Sequence, residues 1–182
     1  MNSGSLKRAG ALVAVSAIGL AVYASAGTAA APKAGEAATI TATSNGKNLE
    51  FTGSTEVSVG SKLKIVNATN PKEVGPHTFS LVKANKLPTT RSEMRACEKL
   101  EAAVCKAILV AQGANPETGM IKRPDVDVGK KGWDTSFGKT GDTWFTQEEG
   151  EIESRPVTAS PGTLHYLCLI HPFMQGKIKV VK

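Results

Sequence analysis

Tyr166-Leu167-Cys168-Leu169-Ile170-His171-Pro172-Phe173-Met174-Gln175-Gly176 is the stretch from which the fold can be read. It sets a thiol, an imidazole and a thioether at equal spacing, with two residues between each pair. Three-residue steps would line up on one face of a helix. Pro172 sits inside the run without an N–H to donate, which argues against a helix. Gly162 and Gly176 punctuate the two ends. Thr163 to Cys168 therefore reads as a strand ending at the thiol, followed by a tight loop. The alternation Lys177-Ile178-Lys179-Val180-Val181 reads as the returning strand. Taken singly, the cysteine is a core thiol, Met174 a gap filler and His171 a surface residue. Taken together, a soft thiolate, a borderline imidazole and a weak thioether suit copper better than zinc or magnesium.

Such a set calls for one more nitrogen. The chain has three histidines, His77, His165 and His171. Alternation puts Leu164, Tyr166 and Cys168 on one strand face and His165 and Leu167 on the other. If Cys168 points inward, His165 points to solvent. His77 lies in Glu73-Val74-Gly75-Pro76-His77-Thr78-Phe79, where Gly75 and Pro76 bend the chain into a strand. That position suits a ligand at the end of a sandwich. A zinc site from Cys97, Cys105, Cys168 and His171 is the alternative by ligand type. Its spacing is poor for zinc, and it would use up the two cysteines best placed to pair.

Working outward, Ala38–Ser44 alternates and is rich in threonine, and Asn45-Gly46 is a turn signal. Leu49-Glu50-Phe51 begins a second strand. Glu56–Val59 leads into the turn at Gly60-Ser61. Lys62–Asn67 places Leu63 and Ile65 on one face, and Thr78–Val82 is a further strand. Thr143–Thr146 and Ile152–Ala159 complete the set. Strands at this spacing predict an all-β sandwich.

The pattern changes between them. Thr90-Arg91-Ser92-Glu93 has the capping-box form. From Ser92 to Gln112 there is no proline or glycine. Met94, Cys97, Leu100, Val104, Ile108 and Ala111 recur at helical steps, so this is one amphipathic helix or two short ones. Residues eight apart on one helix lie about 12 Å apart along its axis, whereas a disulfide needs Cα atoms within about 7 Å. Either Cys97 and Cys105 are unpaired or the helix breaks between them. Residues 113–150, with Trp133 and Trp144, read as a long structured loop.

The amino terminus reads as an export signal over residues 1–26. Lys7 and Arg8 precede an apolar run, and Ala24-Ser25-Ala26 offers a small-residue cleavage site. An uncleaved membrane anchor is the alternative, since small apolar residues continue to Ala31. Residues 27–37 read as a flexible linker and 38–182 as one domain. The net charge is +6, or +4 without Lys7 and Arg8. With no block of like charge and no aromatic platform, this does not point to nucleic acid. Export means a periplasmic or extracellular domain. An oxidising compartment favours pairing Cys97 with Cys105, and so a broken helix or helical hairpin. One thiol of the three is then left over, and metal ligation of Cys168 gives it a reason to stay free.

Gly75-Pro76-His77-Thr78-Phe79-Ser80-Leu81, followed downstream by Tyr166-x-Cys168-x-x-His171-Pro172-Phe173-Met174-x-Gly176-Lys177-Ile178-x-Val180, resembles the plastocyanin/azurin family of blue (type 1) copper proteins. The ligand loop is most similar to that of amicyanin. The resemblance covers about residues 38–82 and 150–182. It implies a cupredoxin-like Greek-key β-sandwich holding one copper ion. His77, Cys168 and His171 become the equatorial ligands and Met174 the weak axial one. It further implies redox proteins docking transiently near His171 and Phe173, on a patch that Leu169, Ile170 and Pro172 would help form. Two departures stand out. Thr78 replaces the family's common asparagine, which helps tie the ligand loops together. The helical segment and long loop of about residues 88–150 are an insertion whose role the resemblance leaves open.

The function implied is an exported monomer carrying single electrons between redox partners by Cu(I)/Cu(II) cycling. It meets a membrane only if the leader is retained. The alternative is a protein for copper handling or sensing. Four ligands leave no open position for substrate, so no enzyme is expected. A trinuclear copper cluster needs more histidines than the three present.

Overall fold

The structure is a computed structural model. It describes residues 36–182 apart from 47, 116, 119, 121–124, 126, 130 and 136–140. The expected signal segment and most of the expected linker lie outside the described residues.

Two sheets face each other. The first runs in the order β2-β1-β4-β8 and the second β3-β10-β9-β5-β7-β6. Their strands are β1 (Ala38–Ser44), β2 (Leu49–Gly53), β3 (Glu56–Ser58), β4 (Lys62–Asn67), β5 (His77–Val82), β6 (Asp127–Val128), β7 (Thr143–Thr146), β8 (Ile152–Pro156), β9 (Gly162–Leu167) and β10 (Gln175–Val181). The chain changes sheet at each step from β2 to β5 and again from β7 to β8 and from β8 to β9. It closes by pairing β1 parallel to β4 and β3 parallel to β10. The all-β sandwich with a helical insert is thus the observed fold. β8 is shorter than the expected run to Ala159, although Val157 and Ala159 stay buried.

Period-two alternation explains the core. Ile40, Leu63, Ile65, Phe79, Leu81, Leu164, Tyr166, Ile178 and Val180 all pack into it. The long loop adds to it. Trp133 is fully buried, donates its Nε1–H to the Leu63 carbonyl at 2.9 Å, and meets the Phe79 ring edge-on. β7, at the end of the expected insertion, is an integral strand hydrogen-bonded to β5.

The helical segment divides into α2 (Arg91–Glu98) and α3 (Ala103–Ala111). A still shorter helix, α1 (Pro71–Val74), was not foreseen; Asn70 caps it and proline opens it, which is the usual chemistry of a helix start. Thr90 and Glu93 form the reciprocal capping box at α2. The break falls at Leu100, which takes a left-handed φ of 58°. That reversal brings the Cα atoms of Cys97 and Cys105 to 5.3 Å, and the two are disulfide-bonded. Cys168 is free and buried. The bridged hairpin packs on the outer side of the second sheet, where Cys97, Cys105 and Ile108 meet Val82, Leu167 and Leu169. Leu167 does point away from the sandwich interior, as alternation requires, yet it is completely buried because the insert covers it. His165, on the same face, is half-exposed.

Candidate metal centre

β5 and the loop after β9 build the site at one end of the sandwich. β5 begins with His77, in phase with Phe79 and Leu81, so its ring enters the interior just beyond the aromatic core. Cys168 follows β9 by one residue, and its N–H still donates to the Met174 carbonyl at 2.9 Å. The Met174 N–H in turn donates to the His171 carbonyl at 2.8 Å. Those two bonds close Cys168–Met174 into a compact loop, with Pro172 at a position needing no donor.

The loop brings three ligand atoms together. The Cys168 Sγ lies 3.8 Å from the Nδ1 of His77 and 3.8 Å from the Nδ1 of His171. All three atoms fall within 4.8 Å of one another. An ion bonded at about 2.0–2.3 Å to such atoms holds them roughly 3.5–4 Å apart, so the separations fit one small ion between them. Met174 is buried in one cluster with Cys168 and Ala42. Among the described residues this is the one grouping of histidine, cysteine and carboxylate side chains able to hold a metal. His165 is outside it.

The electrostatics leave two nitrogens ready to bind and a thiol that needs help to ionise. Burial lowers the pKa of His77 to about 4, and the neighbouring charge of His171 adds to that. Burial also lowers the pKa of His171, while the Val74 backbone and the Glu98 carboxylate pull the other way. Both imidazoles are neutral at pH 7. Burial pushes the Cys168 thiol up, against hydrogen bonds led by the backbone of Thr78. A thiolate there would therefore form with a metal bound, releasing its proton.

Thr78 does tie the two halves together. Its N–H donates to the Cys168 Sγ at 3.3 Å, and its Oγ1 accepts the Leu169 N–H at 2.7 Å. One residue thus ties β5 to the sulfur of the cysteine and to the backbone of the residue after it. Thr69 and Asn67 were not singled out from the sequence. The Nε2 of His77 lies 2.8 Å from the Thr69 Oγ1, which is 2.7 Å from the Asn67 Oδ1. The only sequence signal was a polar pair, Asn67-x-Thr69, just past an alternating strand.

No protein-family model matches the sequence, and no curated protein matches it. Solved structures do resemble it in outline. Auracyanin B is 18% identical over 83% of this chain and 92% of its own, with a TM-score of 0.43. A purple cupredoxin from Nitrosopumilus maritimus is 12% identical over 79% and 99%, with a TM-score of 0.40. Reduced auracyanin from Roseiflexus castenholzii is 17% identical over 82% and 100%, with a TM-score of 0.41. At scores below 0.5 these likenesses carry no weight for function, which rests on the geometry of the pocket.

Proposed function

We propose that this chain is an exported, mononuclear type 1 copper protein that carries single electrons between redox partners. The observation that carries the reading is the triangle of the Cys168 Sγ and the two Nδ1 atoms, with His77 and Cys168 buried and Met174 buried beside the thiol. Two imidazoles, one thiolate and a weak thioether form the donor set of a blue-copper electron-transfer site. Copper bound there would accept and return one electron. The protein's part is to keep the ligands still. His77 is held by its strand and Cys168 by Thr78, so an electron can come and go with little rearrangement.

His171 supplies the exit. It is half-buried, and its ring meets Phe173 edge-on at 5.9 Å between centroids. Phe173 and Ile170 are exposed beside it. An apolar rim around a ligand edge suits brief docking. In this reading the chain is a carrier and not an enzyme, since its four ligands enclose the metal. The Cys97–Cys105 disulfide supports an oxidising, extracytoplasmic setting. None of the described helices is long and apolar enough to cross a membrane.

The test is the visible spectrum of the purified chain with Cu(II). The expected outcome is an intense blue absorption that Cys168→Ala abolishes. Tight copper binding without colour would instead support copper handling.

A further inference from the structure

Behind His77 runs a line of buried polar side chains with a definite direction. The Thr69 N–H donates to the Asn67 Oδ1 at 3.0 Å, so that oxygen is an acceptor. The Asn67 Nδ2 faces the Glu148 carbonyl at 3.0 Å, which can only accept. The amide orientation of Asn67 is therefore set at both ends by backbone groups. The Thr69 hydroxyl must then spend its single proton on the Asn67 Oδ1. What remains on its oxygen are lone pairs, so the nearby Nε2 of His77 is the donor. Further along, the Asn67 Nδ2 donates to the Thr146 Oγ1 at 3.2 Å, and the Thr146 hydroxyl donates to the Glu151 Oε2. Asn67, Thr69 and Thr146 are all almost fully buried, while Glu151 reaches the surface.

We propose that Thr69, Asn67, Thr146 and Glu151 are positioning residues: a one-way hydrogen-bond relay that keeps the His77 proton on Nε2, turns the bare Nδ1 toward the pocket, and carries the negative charge of Glu151 to the ring. The inference rests on the reading of that pocket as a copper site. Every donor along the relay points from His77 toward the carboxylate, so each bond polarises the next. A partner on the far nitrogen fixes a ligand histidine's tautomer and raises its basicity. Glu151 also accepts the N–H groups of Gln147 and Glu148. Burial raises its pKa, but these bonds and that of Thr146 outweigh the burial and leave it lowered, so it is ionised at neutral pH. The Asn67 backbone is bound to the same turn through Gly150 and Glu151. A purely structural role would end there and would leave the proton of His77 unaffected.

The test uses metal-free full-length protein at pH 7.5 and nitrogen-15 NMR of the imidazoles. The expected wild-type result is His77 protonated on Nε2, with a slowly exchanging proton signal far downfield. Thr69→Val should lose that protected signal and mix the two tautomers, and Thr69→Ser should restore both. Glu151→Gln should keep the tautomer but move the proton upfield. A wild-type ring protonated on Nδ1, or a Thr69→Val spectrum identical to wild type, would overturn the proposal. An unmoved signal in Glu151→Gln would overturn the charge coupling. With copper, Thr69→Val should weaken Cu(II) binding by about 10- to 100-fold. A protein that shows the tautomer yet takes up no copper keeps the relay and sinks the copper reading. A blue protein whose Thr69→Val variant keeps the wild-type proton signal does the reverse.

Discussion

The two sides of the pocket are built from opposite materials. Behind His77 stand Thr69, Asn67 and Thr146, buried and polar, with each donor matched to an acceptor. Behind Cys168 stand Leu167 and Leu169, packed on a disulfide-bridged helical hairpin with no polar partner of their own side chains. Hydrogen bonds are directional, so the polar side determines how a ring is turned and where its proton sits. Apolar packing has no direction but resists voids, so the other side determines where the sulfur sits and keeps water out. A site that holds copper without rearranging, as proposed above, would need both kinds of control.

The largest effect should come from the apolar side. Leu167 is fully buried between β9 and the bridged hairpin. Leu167→Ala should destabilise the protein by about 2–5 kcal/mol, read as a lowered midpoint in urea. It should also loosen the cysteine next to it, broadening the copper spectrum. A loss of less than 1 kcal/mol with an unchanged spectrum would mean that the hairpin does not brace the ligand loop. The effect of Thr69→Val should have the opposite balance. Its stability cost is that of one hydrogen bond, on the order of 1 kcal/mol, with the larger effect on His77.

Acid should also tell the sides apart. The buried cluster behind Cys168 contains no titrating side chain: its two cysteines are bridged and the rest is aliphatic. On the other side His77 has its pKa lowered to about 4 by burial and by His171, against about 6.5 when unfolded. Between these values the unfolded chain binds a proton that the folded chain refuses. Stability from this group is therefore complete above about pH 6.5 and lost as the pH falls toward 4. His171, also lowered, adds to the loss. Asp142 works against it from elsewhere in the core. Burial raises its pKa to about 6, so the folded state holds the extra proton there, and its contribution falls as the pH rises from about 4 to 6. In metal-free protein the urea midpoint should drop from pH 7 to 5, and more steeply in Asp142→Asn. Equal slopes in the two proteins would remove Asp142 from this account.

The same contrast explains what could be read from the sequence. The short loop that gathers Cys168, His171 and Met174 between two strands was legible because their spacing is local and Pro172 with Gly176 excludes a helix. His77 followed from having only three histidines and from the bend at Gly75-Pro76. The break at Leu100 was legible only indirectly, through the conflict between a continuous helix and a Cys97–Cys105 bond. Leu167 could be placed on the outer face but not recognised as buried, since its cover comes from the insert. Trp133 was hidden for the converse reason: it lies in the long loop, and its cover is the sandwich core at Leu63 and Phe79. The relay was least legible of all. Asn67 and Thr146 meet across 79 residues of chain, and a contact between two polar side chains leaves no periodic trace in either strand.

The smallest structural effect should come where the two sides meet the surface. Phe173 lies between His171 and Met174 in the loop, 53% exposed, with its ring against His171. It belongs to neither side: it is no part of the polar relay, and it is absent from the clusters that pack Cys168 and Leu167. Replacing it should therefore leave both kinds of control intact. In Phe173→Glu the urea midpoint should stay within about 0.5 kcal/mol of wild type, as expected for a surface site, and the copper spectrum should not move. Electron exchange with a redox partner should slow, because the new charge must be desolvated against an apolar rim. Stopped-flow exchange measured at several salt concentrations separates this from simple repulsion. A charge effect on encounter alone would fade as salt screens it, while a lost apolar contact would persist. Unchanged exchange with every partner tried would move the docking surface away from His171. A shifted spectrum would show instead that Phe173 helps to hold His171, and that the apolar control extends to the rim.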